Sequence, residues 1–278
     1  ISGSDDRTVK CWDLEDRKCV WTSESHTSWV RTVCVSPTNC LVLSGGDDKV
    51  IRAHQMSKTS SPELQEHWAF PTLHNDWILS LAVCPNGNFV VSGSDDGTAQ
   101  IWDINIRRAI HTFKQHRSAI RAVAISPDGR WIATGSKDKT ICLFALDDPE
   151  YQEHPSSPLV APEGHDGWVR CLIFHPTEPI LASGGYDQKA ILWNIETGQP
   201  LQVLRGHDEA VVSIDFNLQG NILATCSEDE TIRLWDINTG SSIKRIRIPR
   251  PYDGPNIQDA HLTPIQKSNL LALGATED

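Results

Sequence analysis

The chain has 278 residues, a formal net charge of −11 and 10 tryptophans, against 3 tyrosines, 6 phenylalanines and 1 methionine. The acidic balance argues against nucleic acid and against anionic membrane surfaces as partners, because both require a basic face. The basic run Lys244–Arg250 is short and fits an exposed strand. No apolar run reaches the roughly 18 residues from which a membrane-spanning helix is predicted.

The cysteine pattern bears on metals and on compartment. No C-x-x-C pair occurs, so the sequence predicts neither a zinc site nor a redox dithiol. Single cysteines in apolar strand contexts are typical of a reducing compartment, and we therefore expect a cytoplasmic protein. The eight positions are Cys11, Cys19, Cys34, Cys40, Cys84, Cys142, Cys171 and Cys226.

A short motif recurs six times, with its tryptophan position spaced 42 to 49 residues apart. A histidine also recurs between successive copies, at positions 26, 74, 116, 165 and 207. The copies are "SGSDDRTVKCWD" (2–13), "SGGDDKVIRAHQ" (44–55), "SGSDDGTAQIWD" (92–103), "TGSKDKTICLFA" (134–145), "SGGYDQKAILWN" (183–194) and "TCSEDETIRLWD" (225–236).

Each repeat unit is predicted to form four short strands separated by turns. Around the third copy the strands are "ILSLAVCP", "FVVSGS", "AQIWDI" and "AIHTFK", and "DDG" is a tight turn between the second and third. A four-stranded unit cannot bury both of its faces alone. The units must therefore stack against one another around an axis, which predicts an all-β fold.

These motifs resemble the WD40 repeat of β-propeller proteins over residues 1 to 248. The resemblance rests on the Trp-Asp pairs at 12–13, 102–103 and 235–236, on Gly-His at 164–165 and 206–207, and on the aspartate of each tight turn. It implies one buried hydrogen-bonded tetrad of His, Ser or Thr, Asp and Trp in each blade. The implied tetrads are His74-Ser92-Asp96-Trp102, His165-Ser183-Asp187-Trp193 and His207-Thr225-Asp229-Trp235.

Two blades depart from this pattern, because His54 and Phe144 stand where tryptophan is expected. We expect their tetrads to be incomplete and their blades looser. The resemblance otherwise implies five full blades, beginning near His26, His74, His116, His165 and His207, with repeats ending near 13, 55, 103, 145, 194 and 236. Residues 1–24 are expected to supply only the last two strands of a preceding blade, so that the chain forms an arc of a seven-bladed ring or, as the alternative, of a six-bladed one.

A serine, a histidine and an aspartate within one motif also raise the possibility of a catalytic triad. A triad is needed once per active site, whereas this set recurs in blade after blade, and no G-x-S-x-G elbow occurs. We therefore predict no catalytic residue, no cofactor and no metal site. The alternative is a propeller enzyme, a hydrolase or metal-dependent, with its site near the central channel.

The pattern ends after residue 248, and residues 249–278 form a tail with a predicted helix over about 264–273. Thr263 fits the N-cap, Pro264 the first helical position, Gln266 the capping-box partner and Gly274 the C-terminal stop. The tail resembles the C-terminus of cyanobacterial multidomain WD-repeat signalling proteins, in which an NB-ARC or related nucleotide-binding domain precedes the propeller. Since Ile1 falls inside a motif, we expect upstream domains in the same polypeptide.

In WD40 propellers partners commonly dock on the face that bears the tight turns, and the resemblance assigns three sets of side chains to it. We call this surface the Trp/Arg face. The first set is Trp29, Trp77, Ala119, Trp168 and Ala210; the second is Arg31, Leu79, Arg121, Arg170 and Val212; the third is Asp47, Asp95, Lys137, Tyr186 and Glu228. Tryptophan and arginine are typical of binding hot spots, so we expect a protein or peptide partner here. The alternative is that the tryptophans only cover the top of each blade.

Two longer inserts share the sequence Pro-Glu-x-Gln-Glu-His, at Pro62–His67 and Pro149–His154. They are expected to project from the opposite face of the propeller. Duplication of a pair of blades explains them, whereas a metal or partner site at this spacing is only weakly indicated. Taken together, the sequence predicts a non-catalytic interaction scaffold or sensor, part of a larger bacterial signalling protein.

Overall fold

A computed structural model describes residues 1–38, 40–56, 64–71, 73–146, 164–247, 263–264 and 266–268. Its 22 strands are β1 Ser2–Gly3, β2 Val9–Asp13, β3 Lys18–Ser23, β4 Val30–Val35, β5 Leu41–Gly46, β6 Ile51–Met56, β7 Leu64–Phe70, β8 Ile78–Val83, β9 Phe89–Ser94, β10 Ala99–Asp103, β11 Arg108–Phe113, β12 Ile120–Ile125, β13 Trp131–Ser136, β14 Ile141–Ala145, β15 Val169–Phe174, β16 Ile180–Gly185, β17 Lys189–Asn194, β18 Pro200–Arg205, β19 Val211–Phe216, β20 Ile222–Ser227, β21 Thr231–Asp236 and β22 Ser242–Arg247.

The strands form six antiparallel sheets, and strands adjacent in sequence are adjacent in each sheet. The sheets β4–β7, β8–β11, β15–β18 and β19–β22 have four strands, as the repeat predicts. The sheet β12–β14 has three strands among the described residues, and its predicted fourth strand falls in 147–163, outside them. Residues 1–24 contain one strand more than predicted, the two-residue β1, which is too short to be recognised from periodicity.

The tight turn between the second and third strands follows the same geometry in every sheet. The residue after the motif aspartate has a positive φ each time, +80° at Gly97 and +64° to +74° at the five other positions. In the turn at Gly97, the Asp96 carboxylate accepts a hydrogen bond from the backbone N–H of Thr98 at 2.8 Å. Glycine fits this conformation without strain, and the short polar aspartate stabilises the turn.

Neighbouring sheets stack in chain order, with the first strands β4, β8, β12, β15 and β19 in succession and β1 beside β4. The close approach depends on a glycine at the end of the second strand. A Cβ on Gly93 would lie 2.7 Å from Ile120 Cγ2, and one on Gly135 would lie 2.6 Å from Val169 Cγ1. The motif glycine is thus required by the distance between sheets. In the sixth motif copy the equivalent residue is Cys226.

The core lies between adjacent sheets, because each hydrophobic cluster draws residues from two of them. Trp102 of β10 is fully buried against Phe70 of the preceding sheet, with ring centroids 5.8 Å apart. Trp193 of β17 is fully buried in the same way, in a cluster with Leu143 of β14. This all-β stack of antiparallel sheets is the β-propeller architecture predicted from the sequence.

The described part of the tail begins a helix at Pro264. The Gln266 side-chain oxygen accepts a hydrogen bond from the backbone N–H of Thr263 at 2.9 Å, and the Thr263 hydroxyl accepts one from the N–H of Gln266 at 3.3 Å. This reciprocal pair is a capping box. The predicted residues 269–273 of the helix, and Gly274, lie outside the described residues. Among the helical residues described here, none belongs to a segment long and apolar enough to cross a membrane.

Candidate interaction surface

A β-bulge sets the position of the second set of face residues. In the pairing of β4 with β5, Val30 lies opposite Gly46 and Thr32 opposite Gly45. No residue of β5 therefore lies opposite Arg31. The same register shift occurs at the start of β8, β12, β15 and β19. A β-bulge changes the direction in which the side chain of its extra residue points. The five residues at the extra position are Arg31, Leu79, Arg121, Arg170 and Val212.

A backbone hydrogen bond places each residue of the third set beside one of the first. The Asp47 N–H donates to the Trp29 carbonyl at 2.9 Å, and the Asp95 N–H donates to the Trp77 carbonyl at the same distance. The bond recurs in the other three blades, between Lys137 and Ala119, Tyr186 and Trp168, and Glu228 and Ala210. The bulge and this bond together gather the three predicted sets at one end of the strands.

Arg31 organises one side of the Trp/Arg face. Its guanidinium donates two hydrogen bonds to the Asp47 carboxylate, at 2.7 and 2.9 Å. It also lies over the Trp29 ring at 4.4 Å and the Trp77 ring at 5.8 Å. A paired and stacked guanidinium holds both indoles in place.

A second group of the face adjoins the first, because Asp95 is bonded to Trp77. The Lys137 ammonium donates to Asp95 at 3.1 Å and lies 5.1 Å from the Trp168 ring centroid. Trp168 contacts Tyr186 with centroids 4.9 Å apart, and Arg170 lies 5.3 Å from the Tyr186 ring. The acidic members Asp47 and Asp95 are therefore paired within this chain, a point that the sequence alone did not reveal.

A cavity of about 470 Å³ opens at the centre of the face, lined by Arg31, Trp77, Leu79, Arg121, Arg170 and Val212. Burial lowers the pKa of Arg121, and the neighbouring charges of Arg170 and Arg31 lower it further, against the opposing influence of Asp95. Three guanidiniums thus share a small volume.

The first set of face residues differs in solvent exposure from blade to blade. Trp29, Trp77 and Trp168 are 45%, 42% and 39% exposed, which leaves large indole surfaces in contact with solvent. Ala119 and Ala210, in contrast, are buried and offer nothing to a partner. The blades of these two alanines contribute to the face mainly through their second and third sets, which include the exposed Glu228.

The three implied tetrads are joined by hydrogen bonds. In one of them, the Trp102 indole N–H donates to the Ser92 hydroxyl at 2.8 Å, Ser92 Oγ lies 2.7 Å from His74 Nε2, and His74 Nδ1 lies 3.2 Å from Asp96. The same links connect Trp193, Ser183, His165 and Asp187, and Trp235, Thr225, His207 and Asp229, all at 2.7 to 2.9 Å. Each set ties the loop before the first strand to the second and third strands.

One direction in each set follows from the donor inventory: an indole N–H only donates, so the hydroxyl accepts from it. The hydroxyl hydrogen can be given to His Nε2 when that nitrogen carries no proton. The neutral imidazole then carries its proton on Nδ1 and donates to the aspartate. A threonine two residues after the aspartate adds a further donor, as in Thr98 to Asp96 at 2.7 Å. This threonine recurs in four of the six motif copies, as Thr8, Thr98, Thr140 and Thr231, and its role was missed.

The turn carboxylates are held ionised. Burial opposes the charge of Asp187, but hydrogen bonds from His165 and from the backbone N–H of Asp166 lower the pKa of Asp187 to about 2. For the other turn aspartates burial is likewise outweighed by hydrogen bonds from the histidine, and their pKa values are lowered. They are Asp48, Asp96, Asp138 and Asp229.

The two departing blades differ from each other. His54 is fully buried with Nε2 3.4 Å from the Ser44 hydroxyl, so an imidazole nitrogen occupies the place of the indole nitrogen. Phe144 offers no polar side-chain atom. Within the described residues, the Thr134 hydroxyl is therefore hydrogen-bonded only to His116 Nε2, at 2.8 Å. Burial opposes protonation of His116, but the hydrogen bond to Asp138 raises the pKa of His116 to about 9.

The geometry bears on the catalytic alternative. Ser92 and Ser183 are fully buried, and each hydroxyl is engaged by both a histidine and a tryptophan. A serine nucleophile must reach its substrate, so these hydroxyls are arranged for structure. Among the described residues, no group of three His, Cys, Asp or Glu side chains is placed to hold a metal ion.

The shared insert sequences fall largely outside the described residues. Residues 149–154 and 62–63 are not described, and of the first insert only the backbone of strand β7 is. Residues 64–67 of the first insert belong to β7, which pairs with β6, so this part lies in the sheet and the expectation that it projects was wrong. For residues 62–63 and 149–154 the expectation stays a prediction.

Comparison with known families agrees with this geometry. Five segments match the family described as "WD domain, G-beta repeat", and together they cover more than half of the chain. The chain belongs to the WD40 repeat family. The matched segments are residues 17–54, 69–103, 107–144, 156–194 and 198–236.

Curated WD40 relatives align with parts of the chain. Nuclear distribution protein PAC1-2 of Uncinocarpus reesii is 27% identical over 71% of this chain and 36% of its own length. Nuclear distribution protein PAC1 of Arthroderma otae is 43% identical over 23% of this chain and 13% of its own length. Pre-mRNA-splicing factor PRP46 of Candida albicans is 31% identical over 22% and 16%, respectively. The aligned part of the chain thus spans about a third or less of the length of each of these three fungal proteins.

Proposed function

We propose that the chain is a non-catalytic interaction module that binds a protein or peptide through the Trp/Arg face. The observation that carries the proposal is the set of half-exposed indoles of Trp29, Trp77 and Trp168, of which Trp77 lines a cavity that three arginines also line. Rigid aromatic side chains fixed by neighbouring cations are typical of binding hot spots.

The comparisons support a general binding role rather than a particular process. Similar stretches occur in proteins named for nuclear distribution and for pre-mRNA splicing. Since the same repeat serves differently named proteins, specificity must come from the side chains on the surface of this chain.

The test is partner capture by variants of the face. Trp77→Ala and Trp168→Ala remove exposed indole area and should each weaken capture at least ~10-fold, with little change in melting temperature. Leu218→Ala is a matched control, because Leu218 is 92% exposed and follows β19 at the opposite end of the strands. Equal capture by the tryptophan variants and the control would contradict the proposal.

We further infer that the module works in the cytoplasm within a larger bacterial signalling protein. Support comes from the resemblance of the tail and from eight free cysteines. Reading the gene upstream of the codon for Ile1 tests this. A P-loop domain there agrees with the inference, whereas a chain made only of further repeats contradicts it.

A further inference from the structure

The cavity at the centre of the Trp/Arg face contains more positive charge than the protein compensates. Arg31 is balanced by the Asp47 carboxylate, with Asp5 3.8 Å away. Arg121 and Arg170 line the same cavity, and within the described part of the chain neither forms an ion pair or a hydrogen bond. Arg170 makes a cation–π contact with the Tyr186 ring.

Arg121 is half-buried beside two like charges, which is a costly arrangement. Its pKa is lowered by burial first and then by Arg170, and Asp95, the carboxylate acting on it, is already bonded to Lys137. An anion placed between Arg121 and Arg170 would relieve both the repulsion and the missing hydrogen bonds.

The rim of the cavity limits what can bring this anion. The exposed Trp77 ring lines the cavity, and the exposed Tyr186 ring lies against Arg170 with Trp168 beside it, so an apolar stem or neighbouring apolar residues can pack beside the charge. A cavity of about 470 Å³ has room for a side chain with its neighbouring atoms but not for a folded domain. An acidic side chain projecting from a peptide satisfies both requirements.

We propose that the cavity is an oxyanion site that receives one acidic side chain of the partner, with Arg121 and Arg170 as its donors. The inference rests on the proposed function, because it assigns the chemistry of the group that enters the Trp/Arg face. Both a carboxylate and a phosphorylated side chain offer the required oxygens.

The first experiment uses small anions as probes of the whole chain. Inorganic phosphate and glutarate are titrated at constant ionic strength against chloride, and melting temperature and tryptophan fluorescence are recorded. We expect a saturable stabilisation by at least one anion that chloride does not give. A response to phosphate alone indicates a phosphorylated side chain, and a response to glutarate indicates a carboxylate.

Variants then locate the site. Arg121→Met and Arg170→Met keep the apolar stem and should each raise the half-saturating anion concentration at least ~10-fold. Arg108→Gln, at an exposed arginine of β11, is the matched control and should leave it unchanged. Melting in chloride reports folding, and Arg121→Met is expected to melt no lower than the parent protein, because it removes an uncompensated charge.

Two results would overturn the inference: no stabilisation beyond that of chloride, or a stabilisation that persists in both methionine variants. Neither result affects the proposed function, which depends on capture through Trp77 and Trp168. Loss of capture in the tryptophan variants, with no anion response, would keep the binding face and reject the oxyanion site.

Discussion

At the residue scale, the hydrogen-bonded sets form chains in which each group meets a donor or an acceptor of its neighbour. Trp102 donates to Ser92, whose hydroxyl keeps its own hydrogen and lies within hydrogen-bond distance of His74 Nε2. The Nδ1 proton of His74 is directed to the ionised Asp96. In the blade of His116 this chain has lost its first donor, because Phe144 stands in place of the tryptophan.

Phe144→Trp is therefore expected to lower the pKa of His116 from about 9 towards its ordinary value. The new indole N–H would donate to Thr134, whose hydroxyl would then donate to His116 Nε2 and favour the neutral ring. Phe144 stacks on Phe113 with ring centroids 4.0 Å apart, whereas Trp102 meets Phe70 edge-on at 5.8 Å, so Phe113 must move to admit the larger ring. NMR titration of His116 measures the change.

The sign of the effect on stability follows from linkage. A histidine with a raised folded pKa contributes stability that is complete below about pH 6.5 and is lost as the pH rises through about 9. The parent protein should lose that contribution across this interval, and Phe144→Trp should lose less of it. An unchanged titration of His116 would show that the indole does not control it.

At the element scale, the sheets approach so closely that a hydrogen atom is the only side chain that fits at the end of the second strand. The Cα of Gly93 faces Ile120 and Val123 of the next sheet, and an added methyl would lie 2.7 and 2.9 Å from their carbons. The neighbours are β-branched side chains held in strand β12, so they cannot move aside without a shift of the backbone.

Gly93→Ala is accordingly expected to lower the free energy of unfolding by ~1–3 kcal/mol through overpacking. Cys226→Ala is the matched control, since this position of the sixth motif copy already carries a side chain, and it should cost less than ~1 kcal/mol. Chemical denaturation of both variants measures the difference. Equal losses would mean that the distance between sheets is not set by the glycine.

The strands and turns also show which structural features could be predicted from the sequence and which could not. The resemblance to the WD40 repeat implied the bonded set of His165, Ser183, Asp187 and Trp193, and the hydrogen bonds that join these residues are present. The bulge at Arg31 was not predictable, since nothing in "SWVRTV" distinguishes a residue that is paired from one that is skipped. Strand β1 was missed because two residues show no alternation.

The ion pairs of the face were missed for a related reason. Arg31 and Asp47 are 16 residues apart, and their two hydrogen bonds depend on the bulge and on the backbone bond from Asp47 to Trp29. The sequence placed both residues on one face but could not show that they neutralise each other. The uncompensated charge at Arg121 and Arg170 became visible only after these pairs were known.

At the scale of the whole molecule, five buried turn carboxylates with lowered pKa values make the fold sensitive to acid. For Asp187 the folded pKa of about 2 lies below an unfolded value of about 3.8. The unfolded state binds more protons in this interval, so stability rises with pH, and the contribution is complete above the unfolded value and lost as the pH falls towards 2.

We expect the free energy of unfolding to fall steeply between about pH 4 and pH 2, with Asp187 alone contributing about 2 kcal/mol. Denaturation curves across this range test it. Asp187→Asn, which cannot ionise, should show a shallower slope than the parent protein, whereas a control at the exposed Asp13 should not. Parallel slopes for parent and Asp187→Asn would contradict the linkage.

The bulge at the start of β4, β8, β12, β15 and β19 leaves five side chains outside the register of the ladder. Their identity, three arginines with a leucine and a valine, is not dictated by pairing or by the core. On the proposed function, substitution at these positions would change what the cavity binds while the residues that specify folding stay untouched. Binding and folding would then be encoded by separate residues, and the propeller could acquire a new ligand without first becoming a different structure.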